Sequence, residues 1–294
     1  MSNTPTQTLV GKGRDAISMF LDADSFLENM IGPINQDPHL APTAVVGTAK
    51  LNGRTLTVIS TDAKARNPRF PVVMAGVIGL EEAYKMATAV YNTIEADRNN
   101  ATKRPILLLV DTPGNAPGKV EETFGMNCAT GAYQLALAEA RQHGHPVIAM
   151  IIGRAISGAF LCHGLQADRI LTLPKSFGTM IHVMPLSSIA RITKMDLEKL
   201  EELSLSNPVF ASGAEFFHKL GGVEEVVTEV DNIPATIDKH ITEIYDLNNQ
   251  GLSDQLGPWG RGQLGNERGG RTTRKVVLDT IQEQYSKLEE ELLS

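Results

Sequence analysis

The chain has 294 residues, a hydrophobic fraction of 42%, a charged fraction of 21% and a formal net charge of −7. These values are typical of a globular protein with a sizeable core, and the negative charge argues against a surface that binds nucleic acid or an anionic membrane throughout. The first seven residues are polar and no apolar run approaches the roughly 18 residues of a membrane span, so we expect neither a signal peptide nor a transmembrane helix. The two cysteines, Cys128 and Cys162, fit reduced thiols of a cytoplasmic protein better than a disulfide framework.

The N-terminal region is interrupted by Pro33, Pro38 and Pro42, and only Arg14–Asn29 has helical character. We expect residues 1–42 to form an extension that wraps or reaches and lies outside the core. Next comes a predicted hairpin whose strands flank Asn52-Gly53, because Asn-Gly suits a tight hairpin turn. The elements predicted before the first glycine motif are the strands Ala44–Leu51, Leu56–Thr61 and Phe70–Met74 and the helix Leu80–Ala96.

Two stretches of the chain then repeat one pattern of apolar strand, glycine-containing turn and helix. The first has the strand Pro105–Asp111 and the turn Thr112–Gly118, and the second has the strand Pro146–Ile152 and the turn Gly153–Ala159. Apolar runs of this kind indicate neighbouring parallel strands that are buried on both faces. Amides at a helix start have no partner inside the helix. Two such amide clusters at one crevice would stabilise negative charge developing on oxygen.

The alternation of strands and helices continues to residue 247 and predicts an α/β fold with a mainly parallel sheet and helical cover. We expect a main domain over residues 43–247, followed by a linker and a C-terminal helix over 248–294. The linker is predicted over Asn248–Gly270 from its composition, and the apolar stripe of the helix Arg274–Leu293 indicates either a docking surface or a mobile tail. The other predicted elements are the helices Val120–Gln142, Ser157–Gln166, Pro185–Arg191, Asp196–Ser204, Ser212–Gly221 and Pro234–Leu247, and the strands Arg169–Leu173, Phe177–Val183 and Val223–Val227.

Ser157 could be a nucleophile with His163 as its base. The nucleophile-elbow pattern requires glycine two residues on either side of the serine, and here Ala155 and Ala159 occupy those positions. We expect His163 instead to pack beneath the helix. His182, which follows a short strand, could be an acid–base group or a structural histidine.

No metal site is expected, because the cysteines and the histidines His143 and His145 lack the spacing of metal ligands. The segment Arg261–Lys275 is basic and could be an RNA-binding tail. With Trp259 as the aromatic residue nearby, a solvated linker or an anchor for an acidic partner is favoured, and no nucleic-acid partner is expected.

Several of these motifs resemble the carboxyltransferase branch of the crotonase superfamily, and within it the gamma subunit of biotin-independent malonate decarboxylase. The resemblance covers about residues 40–245, and the block 153–184 is its most specific part. The residues that carry it are Val77–Ala83, Asp111–Gly114, Gly118, Glu121-Glu122, Gly153–Gly164, Gln166–Arg169, Met180–Met184 and Ser212–Val227.

This resemblance implies a crotonase fold and an enzyme that is active only with a homologous beta subunit. The substrate implied is a malonyl thioester on an acyl-carrier subunit with a CoA-derived arm, which yields CO2 and an acetyl thioester. No cofactor is expected on this chain, since the thioester itself accepts the electrons. The enolate would be stabilised by backbone donors that we assign to Gly114, Asn115, Ala116, Gly158 and Ala159. The residues expected to bind the substrate are Gly118, Lys119, Arg154, Ser157 and His182.

Two other functions remain open from the sequence. Relatives often have Ser-Gln-Ala-Tyr-Gly where this chain has Gly-Asn-Ala-Pro-Gly at 114–118. That difference points towards the carboxyltransferase subunit of a biotin-dependent acyl-CoA carboxylase. The other alternative is a non-catalytic scaffold that binds a carrier or RNA.

Overall fold

A computed structural model describes residues 8–204, 207 and 212–293. Its strands are β1 (Leu27–Glu28), β2 (Met30–Ile31), β3 (Ile34–Asn35), β4 (Ala44–Leu51), β5 (Arg54–Thr61), β6 (Ile106–Thr112), β7 (Val147–Ile156), β8 (Arg169–Thr172), β9 (Met180–His182) and β10 (Glu225–Val226). Its α-helices are α1 (Gly13–Phe20), α2 (Leu80–Ala96), α3 (Lys119–Thr123), α4 (Met126–Gln142), α5 (Ser157–Cys162), α6 (Leu186–Thr193), α7 (Leu197–Ser204), α8 (Ala214–Lys219), α9 (Ile233–Asn249), α10 (Gly257–Glu267) and α11 (Thr272–Leu293).

The centre of the molecule is a sheet in the order β1-β4-β5-β6-β7-β8-β10, with β9 added against the end of β7. The hairpin β4–β5 is antiparallel. The pairs β5–β6, β6–β7, β7–β8 and β8–β10 are parallel. Asn52 and Gly53 both have positive φ at the hairpin turn, as the Asn-Gly pair predicts. The predicted mainly parallel sheet is confirmed.

Two apolar clusters lie on opposite faces of this sheet, because successive side chains of a strand point to opposite faces. In β6, Ile106, Leu108 and Val110 join the cluster packed under α2 and α4. Leu107 and Leu109 join the cluster packed under α1 and α9. All seven residues of β6 are buried, as expected for a central parallel strand.

The strands β6 and β7 end at the same edge of the sheet. They pair in parallel from Ile106 opposite Val147 to Thr112 opposite Ala155, with an irregularity in register between Val110 and Thr112. The last three residues of β7 also pair with β9. The turn after β6 and the turn after β7 are therefore neighbours.

The N-terminal region differs from the prediction. The helix α1 ends at Phe20, not Asn29, because Asp22 turns the chain and accepts hydrogen bonds from the amides of Asn52 and Gly53. Ile17 and Phe20 are buried in the core cluster of one sheet face. Residues 9–41 thus contribute to the core rather than lying outside it, while the part of the extension before Thr8 lies outside the described residues.

The tail prediction is also wrong in part, because the segment predicted as a linker contains the helix α10. Arg261 in this helix is only 6% exposed and donates to the carbonyls of Ala167 (2.6 Å) and Leu165 (2.5 Å). The Arg268 guanidinium donates to the carbonyl of Val223 (2.7 Å). These bonds anchor the segment to the sheet domain, and a composition rich in glycine and arginine does not reveal them.

Two further differences concern local backbone. The single helix predicted over Val120–Gln142 is divided into α3 and α4, since Gly125 has a φ of +88° at the start of α4. The predicted strand Phe70–Met74 is absent, and there Met74 makes an isolated bridge to Arg66. Within the described residues, none of the helices is both long enough and apolar enough to span a membrane.

Candidate active site

The turns after β6 and β7 touch each other. A Cβ placed on Gly158 would lie 2.9 Å from the side-chain nitrogen of Asn115. A Cβ placed on Gly114 would lie 3.9 Å from the Cβ of Ser157. The first turn therefore packs directly on the start of α5, and a larger residue at position 158 would push the Asn115 side chain aside.

The backbone of both turns adopts unusual conformations. Gly114 has a φ of +143°, which favours glycine, and Ser157 has a φ of +57°, which is uncommon for a residue with a side chain. Residues held in such regions cost free energy and cluster at functional sites. At Ser157 the chain bends sharply from β7 into α5, so the amides of Gly158 and Ala159 lie in the first turn of a helix, where they have no intrahelical acceptor.

Of the donors predicted in the first turn, Ala116 is not available. Its amide donates to the carbonyl of Ile78 (2.9 Å), and the Ile78 amide donates to the carbonyl of Gly114 (3.1 Å). This two-bond bridge fixes the turn against the segment that precedes α2. The Asn115 amide, in contrast, has no backbone or side-chain acceptor among the residues that the structure describes.

Arg154 was expected to bind the substrate, and in the structure the Nε and Nη2 groups of its guanidinium have partners inside the protein. It donates to both carboxylate oxygens of Asp111 (2.8 and 2.9 Å) and to the carbonyl of Ala75 (2.9 Å). The two side chains are only 16% and 2% exposed. The residue therefore links β7 to the strand end of β6 and to the loop before α2.

Asp111 is the organising residue that the sequence reasoning did not assign. Besides the Arg154 guanidinium, its carboxylate accepts the backbone amides of Arg154 (2.8 Å) and Gly11 (2.7 Å). A Cβ on Gly153 would collide with the carboxylate, which explains the glycine at that position. An acidic residue closing a fully apolar strand was the available signal, since a buried carboxylate requires partners.

A second buried carboxylate supports the same edge of the sheet. Glu82 in α2 is buried, accepts hydrogen bonds from Thr43 (2.9 Å) and Asn67 (3.0 Å), and has its pKa raised by burial. Asn67 in turn accepts from the amides of Arg69 and Phe70. This network fixes the loop that leads to Ile78 and hence to the first turn.

The remaining predicted substrate-binding residues lie around the two turns. Gly118 precedes α3, where a Cβ would clash with the Glu121 carboxylate, and Lys119 is exposed at the start of α3. His182 pairs through β9 with Ile156, next to Ser157. The half-buried imidazole of His182 lines a cleft of about 810 Å³, and burial lowers its pKa. The role of these residues in binding stays a prediction.

His163 is a structural histidine and not a base for Ser157. It is fully buried, and its two ring nitrogens contact the Tyr133 hydroxyl (3.0 Å) and the Leu109 carbonyl (3.1 Å). Burial lowers the pKa of His163 to about 4. The expectation that this histidine packs beneath the helix is confirmed, and a Ser157–His163 hydrolase pair is excluded.

This burial predicts a pH dependence of stability. The pKa of His163 rises from about 4 in the folded chain to 6.5 when unfolded, so the unfolded state binds more protons between these values. The free energy of unfolding should therefore fall by about 3 kcal/mol as pH drops through this window. Urea unfolding across the window should show a shallower loss for His163→Gln than for the wild type. Equal slopes for the two proteins would contradict the assignment.

The two cysteines differ in their exposure to solvent. Cys128 is exposed, whereas Cys162 is buried with its pKa raised by burial to about 12. Within residues 8–204, 207 and 212–293, no group of three or more His, Cys, Asp or Glu side chains is arranged to hold a metal ion.

Comparison with known proteins identifies the family of this chain. The family model for the malonate decarboxylase gamma subunit matches residues 74–285. The chain belongs to this family. The malonyl-S-ACP:biotin-protein carboxyltransferase MADD of Malonomonas rubra is 60% identical over 282 residues, which cover 95% of this chain and 97% of that protein. The alpha subunit of the acetyl-coenzyme A carboxylase carboxyl transferase of Staphylococcus carnosus is 27% identical, over 72% of this chain and 66% of that subunit.

Solved structures agree with the family assignment. A chain of a Pseudomonas malonate decarboxylase hetero-tetramer in complex with coenzyme A has a TM-score of 0.71 and 31% identity, covering 92% of this chain and 99% of that chain. A chain of the Pseudomonas MdcD-MdcE hetero-dimer has a TM-score of 0.64 and 31% identity, covering 90% and 97%. Transcarboxylase 12S, at 24% identity and a TM-score of 0.62 over 80% of this chain and 42% of that chain, shares the fold. The predicted crotonase-like fold is confirmed, and so is the predicted membership of the malonate decarboxylase gamma-subunit family.

Proposed function

We propose that this gamma subunit, together with a homologous beta subunit, removes the carboxyl group from a malonyl thioester held on an acyl-carrier protein. The observation that supports the proposal most is the contact between the turn after β6 and the start of α5. Asn115 offers an amide without an acceptor in the described part of the chain, and Gly158 and Ala159 offer amides of a first helical turn. Both turns lie at one edge of the sheet.

The reaction requires stabilisation of charge on a single oxygen. As the bond between the α-carbon and the carboxyl group breaks, its electron pair moves into the thioester and forms an enolate with the charge on the thioester oxygen. Preorganised amides stabilise such an oxyanion without reorganisation, and one such donor is worth about 3 to 4 kcal/mol in comparable sites. We assign the donor role to Asn115, Gly158 and Ala159, with Gly114 providing the turn.

The destination of the carboxyl group distinguishes two versions of this function. In the first version CO2 is released and a proton adds to the α-carbon to give the acetyl thioester. In the second the carboxyl group is passed to a biotin-bearing protein. The chain is 60% identical to the Malonomonas rubra carboxyltransferase, whose name gives a biotin protein as the acceptor, and 31% identical to the Pseudomonas malonate decarboxylase chain. The higher identity favours the second version. The Gly-Asn-Ala-Pro-Gly sequence at 114–118 points the same way.

The test uses the purified chain, its beta subunit and a malonyl carrier protein. We expect no loss of malonyl thioester with the chain alone and rapid loss once the beta subunit and a biotinyl acceptor protein are both added. With biotin as the acceptor, the loss should depend on a biotinyl protein and stop when avidin is added. Release of CO2 that is insensitive to avidin would instead establish direct decarboxylation. If the assembled complex consumed no malonyl thioester under either condition, the proposed function would be wrong.

A further inference from the structure

The C-terminal helix α11 extends over 22 residues, and none of them is buried. It meets α10 near its start, where the Arg274 guanidinium lies 4.9 Å from the centre of the Trp259 ring. Most helices in proteins owe their stability to the packing of an apolar face. In a single copy of this chain, α11 does not have that packing.

Five apolar residues of α11 follow the heptad spacing of a coiled coil. They recur at alternating intervals of three and four residues, which places them on one seam of the helix. Every member of this seam is at least 38% exposed. The seam consists of Leu278, Ile281, Tyr285, Leu288 and Leu292.

The charges of α11 are arranged against its own dipole. Its start has the basic residues Arg274 and Lys275, and its end has Glu289, Glu290 and Glu291. The first turn has no acidic residue and the last turn no basic residue. A helix is stabilised by the opposite arrangement, because its N-terminus bears partial positive charge. The charges are therefore unfavourable for a lone helix.

We propose that α11 pairs with α11 of a second copy of this chain in an antiparallel coiled coil. In that arrangement the acidic end of each helix lies beside the basic start of the other, so both the side-chain charges and the helix dipoles become complementary. A two-fold axis relates the copies, as in most homodimers. A parallel pair would place like charges together at both ends.

The seam also fixes the register of this pair. Placing Ile281 opposite Tyr285 of the second copy brings Leu278 opposite Leu288, so four apolar layers are filled, and Leu292 lies opposite Arg274 at each end of the pair. In the same register Lys275 lies beside Glu289 of the second copy. The Lys275–Asp279 pair within one helix does not compete strongly, because both side chains are more than 60% exposed.

Sedimentation of the full chain over a concentration series tests the association. We expect a monomer–dimer equilibrium in the wild type and a rise in its dissociation constant of about tenfold or more in Ile281→Asp, since a charge then enters the seam. Val276→Asp is the matched control, because Val276 is 63% exposed on another face of the same helix and should dimerise as the wild type does. The protein should fold in both cases, since neither side chain is buried.

Charge exchange tests the orientation. Lys275→Glu or Glu289→Lys alone should weaken the dimer about two- to fivefold, and both together in one chain should restore it. A parallel pair would show no such rescue. The proposal is overturned if the wild type stays monomeric throughout, if Ile281→Asp dimerises normally, or if Ile281→Asp loses binding of the beta subunit while self-association is unchanged. None of these outcomes depends on catalytic activity, so they are separate from the test of the enzyme function.

Discussion

Replacing Gly158 by valine should reduce the turnover of malonyl thioester by about 100- to 1,000-fold in the complex with the beta subunit. The first carbon of the new side chain would already lie 2.9 Å from the Asn115 side chain, and the branch needs more room. The turn after β6 must then move, and the amides of Asn115 and Gly158 could no longer donate to one oxygen, as the proposed function requires. Initial rates with a malonyl carrier protein measure the effect.

The control for this variant is Gly131→Ala. Gly131 lies in α4, and a Cβ placed there meets nothing within 4 Å. This substitution should leave the rate unchanged and stabilise the helix by up to about 1 kcal/mol. Normal turnover by a folded Gly158→Val protein would refute the assignment of these amides, and it would favour a non-catalytic scaffold that binds a carrier.

Asp111→Asn should lower the free energy of unfolding by about 3 to 5 kcal/mol, since it leaves the Arg154 guanidinium in the interior without its counter-charge. The substitution keeps the volume of the side chain, so the loss reports on charge and hydrogen bonding and not on a cavity. The amides of Gly11 and Arg154 also lose part of their acceptor. Denaturant unfolding of the isolated chain measures the change.

An exposed ion pair provides the comparison. Arg98 and Glu95 are 70% and 57% exposed, and Glu95→Gln should change the free energy of unfolding by less than about 0.5 kcal/mol. An equally small effect of Asp111→Asn would show that the Asp111–Arg154 pair does not hold the strand ends together.

Much of the fold follows from the sequence because its signals are local. Helix α2 spans Leu80–Ala96 as predicted, and the Asn52-Gly53 turn joins the predicted strands. The two glycine turns were also predicted to be neighbours, since adjacent parallel strands end at one edge of the sheet. Periodicity and turn residues suffice for features of this kind.

The errors arise where distant residues determine the outcome. Ala116 was assigned to the site by its position in a motif, yet the carbonyl of Ile78, 38 positions away in the chain, accepts its amide. Arg154 was assigned in the same way, and Asp111, 43 positions away, accepts hydrogen bonds from part of its guanidinium. The region 248–270 has the composition of a linker, but Arg261 finds carbonyl acceptors on the loop before β8. Spacing within a motif cannot show whether a polar group is already paired.

The hydrogen bond from Gly11 to Asp111 connects the beginning of the chain to the centre of the enzyme. A deletion or a fusion that displaced the residues just before α1 would remove the Gly11 amide from the Asp111 carboxylate, which links the ends of β6 and β7. Its effect would therefore be felt in turnover and not only in solubility, even though the altered residues lie 100 positions before Asp111. If the proposed function is correct, the segment before α1 therefore helps to hold the two donor turns in place.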